Sequence, residues 1–138
     1  MKRLFSAYAV VLTVMLVLET FWFAIVVERL YRPELGNLLT DDVRILPAVV
    51  FYMLYPLAVV ILAVRPLDAM NSSIACLGRG FLLGAAAYGA YELTNLATLN
   101  GWSSLITVVD LTWGSILTAA AAFLSSVVIN RLFENHTA

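Results

Sequence analysis

Three carboxylates, Glu19, Glu92 and Asp110, interrupt long apolar runs that contain no Lys or Arg to neutralise them. An ionised side chain at the centre of a bilayer costs about 2.5–3.5 kcal/mol on insertion scales and more in simulations. An acid that persists there needs a proton, a bound cation or a dense set of hydrogen bonds. Proton or cation exchange is therefore the first chemistry these residues point to. A pair of carboxyls can also act as general acid and base, so a membrane enzyme is conceivable. Nothing else in the chain supports one. Serines such as Ser115 have no histidine to activate them, because the lone histidine, His136, lies in the last three residues. One cysteine, Cys76, far from that histidine and from the acids, leaves zinc and haem without a ligand set and intrachain disulfides impossible. No cofactor is indicated.

The elements that must carry these acids follow from composition. Of 138 residues, 62% are hydrophobic and only 12% charged, where a soluble domain is about a quarter charged. This is the composition of a membrane protein, and its length allows one compact bundle, residues 1–138. A net charge of −1 excludes nucleic acid as a partner. Crossing a bilayer takes about 20 apolar residues, and four stretches qualify, at roughly 4–27, 45–64, 81–99 and 105–130. The basic start, Met1-Lys2-Arg3, resembles a signal peptide, but the apolar run is longer than a signal core and no Ala-x-Ala-like site follows. It reads as an uncleaved first span. Lys2, Arg3, Arg65, Arg79 and Arg131 fall on one side of this map, and Arg29, Arg32 and Arg44 on the other. The balance predicts an all-α four-helix bundle with both termini in the cytoplasm. Pro66 closes the second span and Asn100-Gly101 turns the chain between the third and fourth. In the first connection, Pro33 and Gly36 break the chain, and Leu35, Leu38 and Leu39 fit a short segment lying on the outer surface. Arg29, Arg32, Asp41 and Asp42 read as a solvated loop, and Met70 and Cys76 as turn residues without chemistry.

Counting 1.5 Å of rise per residue, Glu19, Glu92 and Asp110 each fall roughly 9–12 Å below the outer boundary. Tyr52 and Tyr55 enter the same layer from the second span. In the fourth span Ser103, Thr107, Asp110, Gly114, Thr118, Ala121 and Ser125 recur every three or four residues, a small and polar stripe of the kind that packs against other helices in lipid. The third span carries Gly80-x-x-x-Gly84, read as close packing, then Tyr88, Glu92 and Asn95 on one face with Tyr91 beside them. Trp22 and Trp113 each follow an acid by three residues, an arrangement that fits an aromatic wall around a cationic or flat ligand. Trp102 reads as an interfacial anchor. Pro56 frees the carbonyl of Tyr52, adding an acceptor to the layer.

Three segments resemble a known family: Phe51-Tyr52-x-x-Tyr55; Tyr88-Gly89-x-Tyr91-Glu92-Leu93-Thr94-Asn95-Leu96-Ala97-Thr98 followed by Gly101-Trp102; and Asp110-x-x-Trp113-Gly114. They are similar to a family of small bacterial inner-membrane proteins, domain-of-unknown-function family 2177. The resemblance covers essentially the whole chain. It implies a four-helix protein of the bacterial inner membrane with a signature centred on Glu92, Asn95, Asp110 and Trp113. The family pattern more often has Asp where Glu92 and Glu19 stand, and Pro where Ser103 stands. These differences keep the acid and alter its reach and the turn. No activity comes with the resemblance.

The expected site is a polar pocket in the outer half of the membrane, lined by Glu19, Trp22, Tyr52, Tyr55, Tyr91, Glu92, Asn95, Asp110 and Trp113. Glu92 and Asp110 form its core, Asn95 orients them, and the pocket binds or transports a proton, cation or small amphipathic ligand. One alternative is a structural or accessory subunit of a larger membrane complex, with the acids as hydrogen-bond glue. A weaker one is a lipid-modifying enzyme. A bundle this small also fits a homodimer.

Overall fold

The computed structural model describes residues 1–40, 42–65 and 72–134. The sequence expectations resting on Asp41, Pro66, Met70 and His136 lie outside the described residues. Helix α1 (Lys2–Val26) runs through a π turn (Val27–Tyr31) into α2 (Arg32–Leu35) and a final 3-10 turn (Gly36–Leu38). Helix α3 (Ile45–Val59) likewise ends in a π turn (Val60–Val64), and α4 (Ser73–Thr98) and α5 (Ser104–Glu134) complete the bundle. Four helical runs are long and apolar enough to cross a membrane. An even number of crossings brings the two ends of the chain to one face, here the terminal face; the opposite face is the distal one.

Large apolar side chains cover the outside. Phe5, Leu82 and Ile74 are each more than 70% exposed, which a surface in water would not sustain in such number and a surface in lipid requires. Inside, α5 is the spine. In its apolar window 44% of residues are buried, against 17–22% in the other three runs. Small residues account for this centrality. Gly80 of α4 faces the backbone of Thr118 and Ala119, and Gly84 faces Gly114 and Ser115. Gly114 in turn receives the ring of Tyr88. The Gly-x-x-x-Gly spacing thus serves the close crossing the sequence predicts. Polar side chains fix the register near the terminal face. Ser125 donates to the Ala7 carbonyl at 3.2 Å, Arg3 to Asn130 at 3.3 Å, and Ser73 and Ser126 share a hydrogen bond of 2.9 Å.

The bounds of two spans, the first and the third, are corrected. The first span does not stop near residue 27 but stays helical through the π turn and α2 to Leu35, about 50 Å. Pro33 does not break it; the helix passes into α2 through the π turn Val27–Tyr31, and Pro33 stands just after that turn. Leu35 is therefore part of this helical continuation, and the chain turns at Gly36, whose φ of +47° suits glycine, into the 3-10 turn that holds Leu38. Near Pro56, the acceptor that finds a partner is the Met53 carbonyl, bonded by the Tyr8 hydroxyl at 3.1 Å. The third span begins at Ser73, capped by the Ser72 hydroxyl on the Ala75 N–H. At the distal end Gly101, with φ +82°, makes the tight turn into α5, and Ser103 caps that helix through the Ile106 N–H.

Helix α3 packs mainly through its second half and the π turn that follows it. Tyr55, Pro56, Val59, Val60, Ala63 and Val64 are buried, whereas from Ile45 to Leu54 all but Tyr52 are exposed.

A Cβ at Gly84 would stand 2.5 Å from the Gly114 carbonyl oxygen and 2.8 Å from the Ser115 Cα, both backbone atoms that cannot swing aside. Gly84→Ala is expected to lower stability by about 2 kcal/mol or more. Gly78→Ala, on the same helix with nothing within 4 Å, should leave it unchanged or slightly raised. Thermal unfolding in mild detergent distinguishes them, and equal melting temperatures would contradict the packing.

Candidate functional site

Each of the three acids takes a hydrogen bond from a neutral aromatic donor on another part of the chain. Tyr88 of α4 donates to Glu19 of α1 at 3.0 Å. The hydroxyl of Tyr31, in the π turn, donates to Asp110 of α5 at 2.5 Å and accepts from the Trp22 indole at 3.0 Å. The indole of Trp102 donates to Glu92 at 3.2 Å. Burial is deep for two of them, with Glu92 1% and Glu19 5% exposed. Asp110 is half-buried and holds the centre. Its carboxyl lies within hydrogen-bonding reach of Glu92 and within electrostatic range of Glu19.

The contacts along α5 show how these groups are stacked. Glu92 stands beside Thr107. On the α1 side, the register marks at Asn130, Ser125 and Trp113 bring Glu19 opposite Gly114 and Ser115. From Thr107 to Ser115 is about 12 Å of helix. The acids therefore descend as a staircase, Glu92 then Asp110 then Glu19, where sequence counting put them in a single layer. The cause is the unexpected length of the first helix, which carries Glu19 deeper than an end at residue 27 implies.

The aromatic residues fill the space between the steps. Trp22 and Trp113 stack on each other with ring centroids 4.2 Å apart and planes 6° from parallel. That separation is an ordinary stacked pair and leaves no slot for a flat ligand between the rings. The Trp113 indole N–H is buried with no acceptor among the described residues. Below Glu19, Tyr55 and Thr118 share a hydrogen bond of 2.9 Å, and the Tyr55 ring meets the edge of Tyr88. Tyr52 is half-buried within electrostatic range of Glu19. Tyr91 is 58% exposed, packs edge-on against Trp102, and is the hydrogen-bond partner of Asn95. At the distal rim, Ser103 donates to Glu34, and Arg32 pairs with Glu28 one turn earlier at 2.8 Å on the exposed surface.

The expected residues thus fall into three sets. Glu19, Trp22, Tyr52, Glu92, Asp110 and Trp113 cluster around Asp110 and Glu19. Tyr55 lies below them, and Tyr91 and Asn95 form a pair to the side. Tyr31, Tyr88 and Trp102, which donate to the acids, were not among the candidates. Tyr88 was recognisable from its place four residues before Glu92. Tyr31 was not, because the π turn that aims it at Asp110 leaves no trace in the residue pattern. Two recesses stand out among the described residues, and neither touches the acids: one along Ala86, Gly89, Ala90 and Leu93 of α4, the other at the terminal face. No three His, Cys, Asp or Glu side chains among the described residues converge as a metal ion requires.

Removing the Tyr31 hydroxyl strips Asp110 of its donor and Trp22 of its acceptor together. Tyr31→Phe should destabilise the fold by about 1–3 kcal/mol and shift tryptophan fluorescence. Thr112→Val, which loses only a bond to its own Val108 carbonyl on an exposed face, should do neither. Matching melting curves for the two variants would show that the Tyr31–Asp110 contact carries no weight.

Comparison of the chain with curated proteins returns no match, and comparison with solved structures returns none either. A family match does exist, and it reaches each of the helices described above: over residues 4–127 the chain matches, and so belongs to, the family described as predicted membrane protein (DUF2177).

Proposed function

We propose that this membrane protein binds and exchanges protons at the Glu92–Asp110–Glu19 staircase, reached from the distal face. What supports the reading is the convergence of three acids from α1, α4 and α5 on donors that are all neutral, with Glu92 and Asp110 near each other. Two carboxylates within hydrogen-bonding reach in a low-dielectric site cannot both stay ionised, and the pair holds a shared proton. Glu19, deeper and linked to the same network through its proximity to Asp110, is the next acceptor. Tyr31 and Tyr88 are amphoteric hydroxyls beside the acids, able to donate to a carboxylate and to reorient when it takes a proton. The unpartnered Trp113 indole is a donor open to an acceptor entering the site.

The path has one open end. Polar groups run from Glu34 and Ser103 at the rim through Glu92, Asp110, Glu19 and Tyr88 to Tyr55 and Thr118. Beneath them Val11, Leu117, Ala121, Ala122, Val59 and Ala63 form a closed apolar core. This favours a site that loads and unloads on one side over a continuous channel, and it favours a proton over a bulky amphipathic ligand.

A second reading, an accessory subunit of a larger membrane complex, is favoured by α3. Its distal half finds little cover in its own bundle, and a partner helix laid there would cover it. Purification in gentle detergent tests this, since a protein that always runs alone and folded would remove the basis for it.

Infrared spectroscopy of the reconstituted protein tests the first reading. At neutral pH the wild type should show a protonated-carboxyl C=O band that weakens in Asp110→Asn and in Glu92→Gln, and liposomes should show proton uptake that those variants and Glu19→Gln diminish. A wild-type spectrum without that band, or uptake unchanged in all three variants, would overturn it.

A further inference from the structure

Beyond Val26 the first helix continues as an arm made of the π turn Val27–Tyr31, α2 and the 3-10 turn. No residue of this arm is fully buried, and only Val27, Leu30, Tyr31 and Leu35 are half-buried. A π turn is a rare interruption of an α-helix and gathers at functional sites. Two occur among the described residues, in different settings. Val60, Ala63 and Val64 of the second are buried in the core, where their neighbours hold the turn in place. The first has no such support.

Two hydrogen bonds tie the arm to α5 and its cap, and both end on carboxylates. Tyr31 donates to Asp110 at 2.5 Å. Three residues further on, Glu34 accepts from Ser103, whose oxygen also receives the Ile106 N–H at 3.3 Å. The arm thus clasps the distal end of α5 between Asp110 and the rim.

We propose that this arm is a proton-controlled lid on the acid site, latched while Asp110 is a carboxylate and released when Asp110 takes a proton. The inference rests on the proton-binding reading above and adds its control. A hydroxyl bonds a carboxylate about twice as strongly as a neutral acid. Asp110 is faced by Tyr31 from the arm, by Glu19 from α1, and by Glu92 and Tyr91 from α4. Glu19 and Glu92 oppose a charge on Asp110 and the Tyr31 hydroxyl supports it, so arm position and proton occupancy are linked. Linkage is reciprocal: a proton on Asp110 weakens the latch, and an open arm strengthens proton binding. Passage of the proton to Glu19 restores the carboxylate and closes the arm. Release also frees the Trp22 indole, which donates to Tyr31 at 3.0 Å.

Hydrogen–deuterium exchange of the full chain in liposomes, read by mass spectrometry and corrected for the intrinsic pH dependence of exchange, tests this. Amides of residues 27–35 should lose about fivefold in protection from mildly alkaline to mildly acidic pH, while those in the second half of α5 keep theirs. Asp110→Asn and Tyr31→Phe should show the loosened arm at every pH. Glu34→Gln should loosen the arm about threefold and keep the pH dependence. Glu34 is exposed, so this variant stays informative if the Asp110 variant fails to fold. Arm protection that ignores pH in the wild type, or that is equal in wild type and Tyr31→Phe, would overturn the lid. A protonated-carboxyl band that titrates beside an unchanging arm would overturn the lid alone and leave the proton site standing. An arm loosened by Tyr31→Phe but not by acid, in a protein without that band, would overturn proton control together with the proton-binding reading.

Discussion

A carboxyl group surrounded by hydrocarbon must be hydrogen bonded or neutralised, and three of them in one small bundle dictate where the donors have to stand. Much of the distal half of this protein follows from that constraint. Tyr88 has to approach α1, so its ring crosses over Gly114, where any side chain would block it. Tyr31 has to reach back to α5, and the first helix stays helical past its π turn to bring it there. Trp102, at the tight turn, points its indole inward to Glu92. The aromatic groups that might have walled a ligand pocket are instead the donors and the packing of the acids themselves.

The terminal half obeys a different rule. It contains no such acids along the described spans, and its helices meet through alanine, glycine, serine and valine with a few hydroxyl-to-carbonyl bonds. In lipid, contact at this range is a main source of cohesion between helices, since apolar burial alone drives little association. The glycine crossing of α4 and α5 joins the two halves mechanically. It sets Glu92 and Asp110 near each other on facing helices.

The four apolar runs, the turn at Asn100-Gly101 and the close approach at Gly80 and Gly84 were legible because length, hydropathy and small-residue spacing each act locally. The acids were legible as well, since a charge inside an apolar run has no neutral explanation. Their relative depth was not, because it depends on where the first helix ends. Pro33 reads as a break, but the helix continues through it by way of a π turn, and that π turn shifts the facing of every later residue. Asn95 was read as orienting the acid pair, since three- and four-residue spacing places it on the face of Glu92. The partner it meets is Tyr91, a neighbour on its own helix. Spacing defines a face and leaves the choice among partners on that face to tertiary packing.

If Glu92 and Asp110 share one hydrogen-bonded site, their effects on stability cannot be independent. A double-mutant cycle with Glu92→Gln, Asp110→Asn and the pair, read by thermal unfolding in detergent, measures that dependence directly. A coupling of about 1 kcal/mol or more is the expected result for groups in contact. Additive effects of the two substitutions would mean that the acids do not meet, and the staircase would lose its central step.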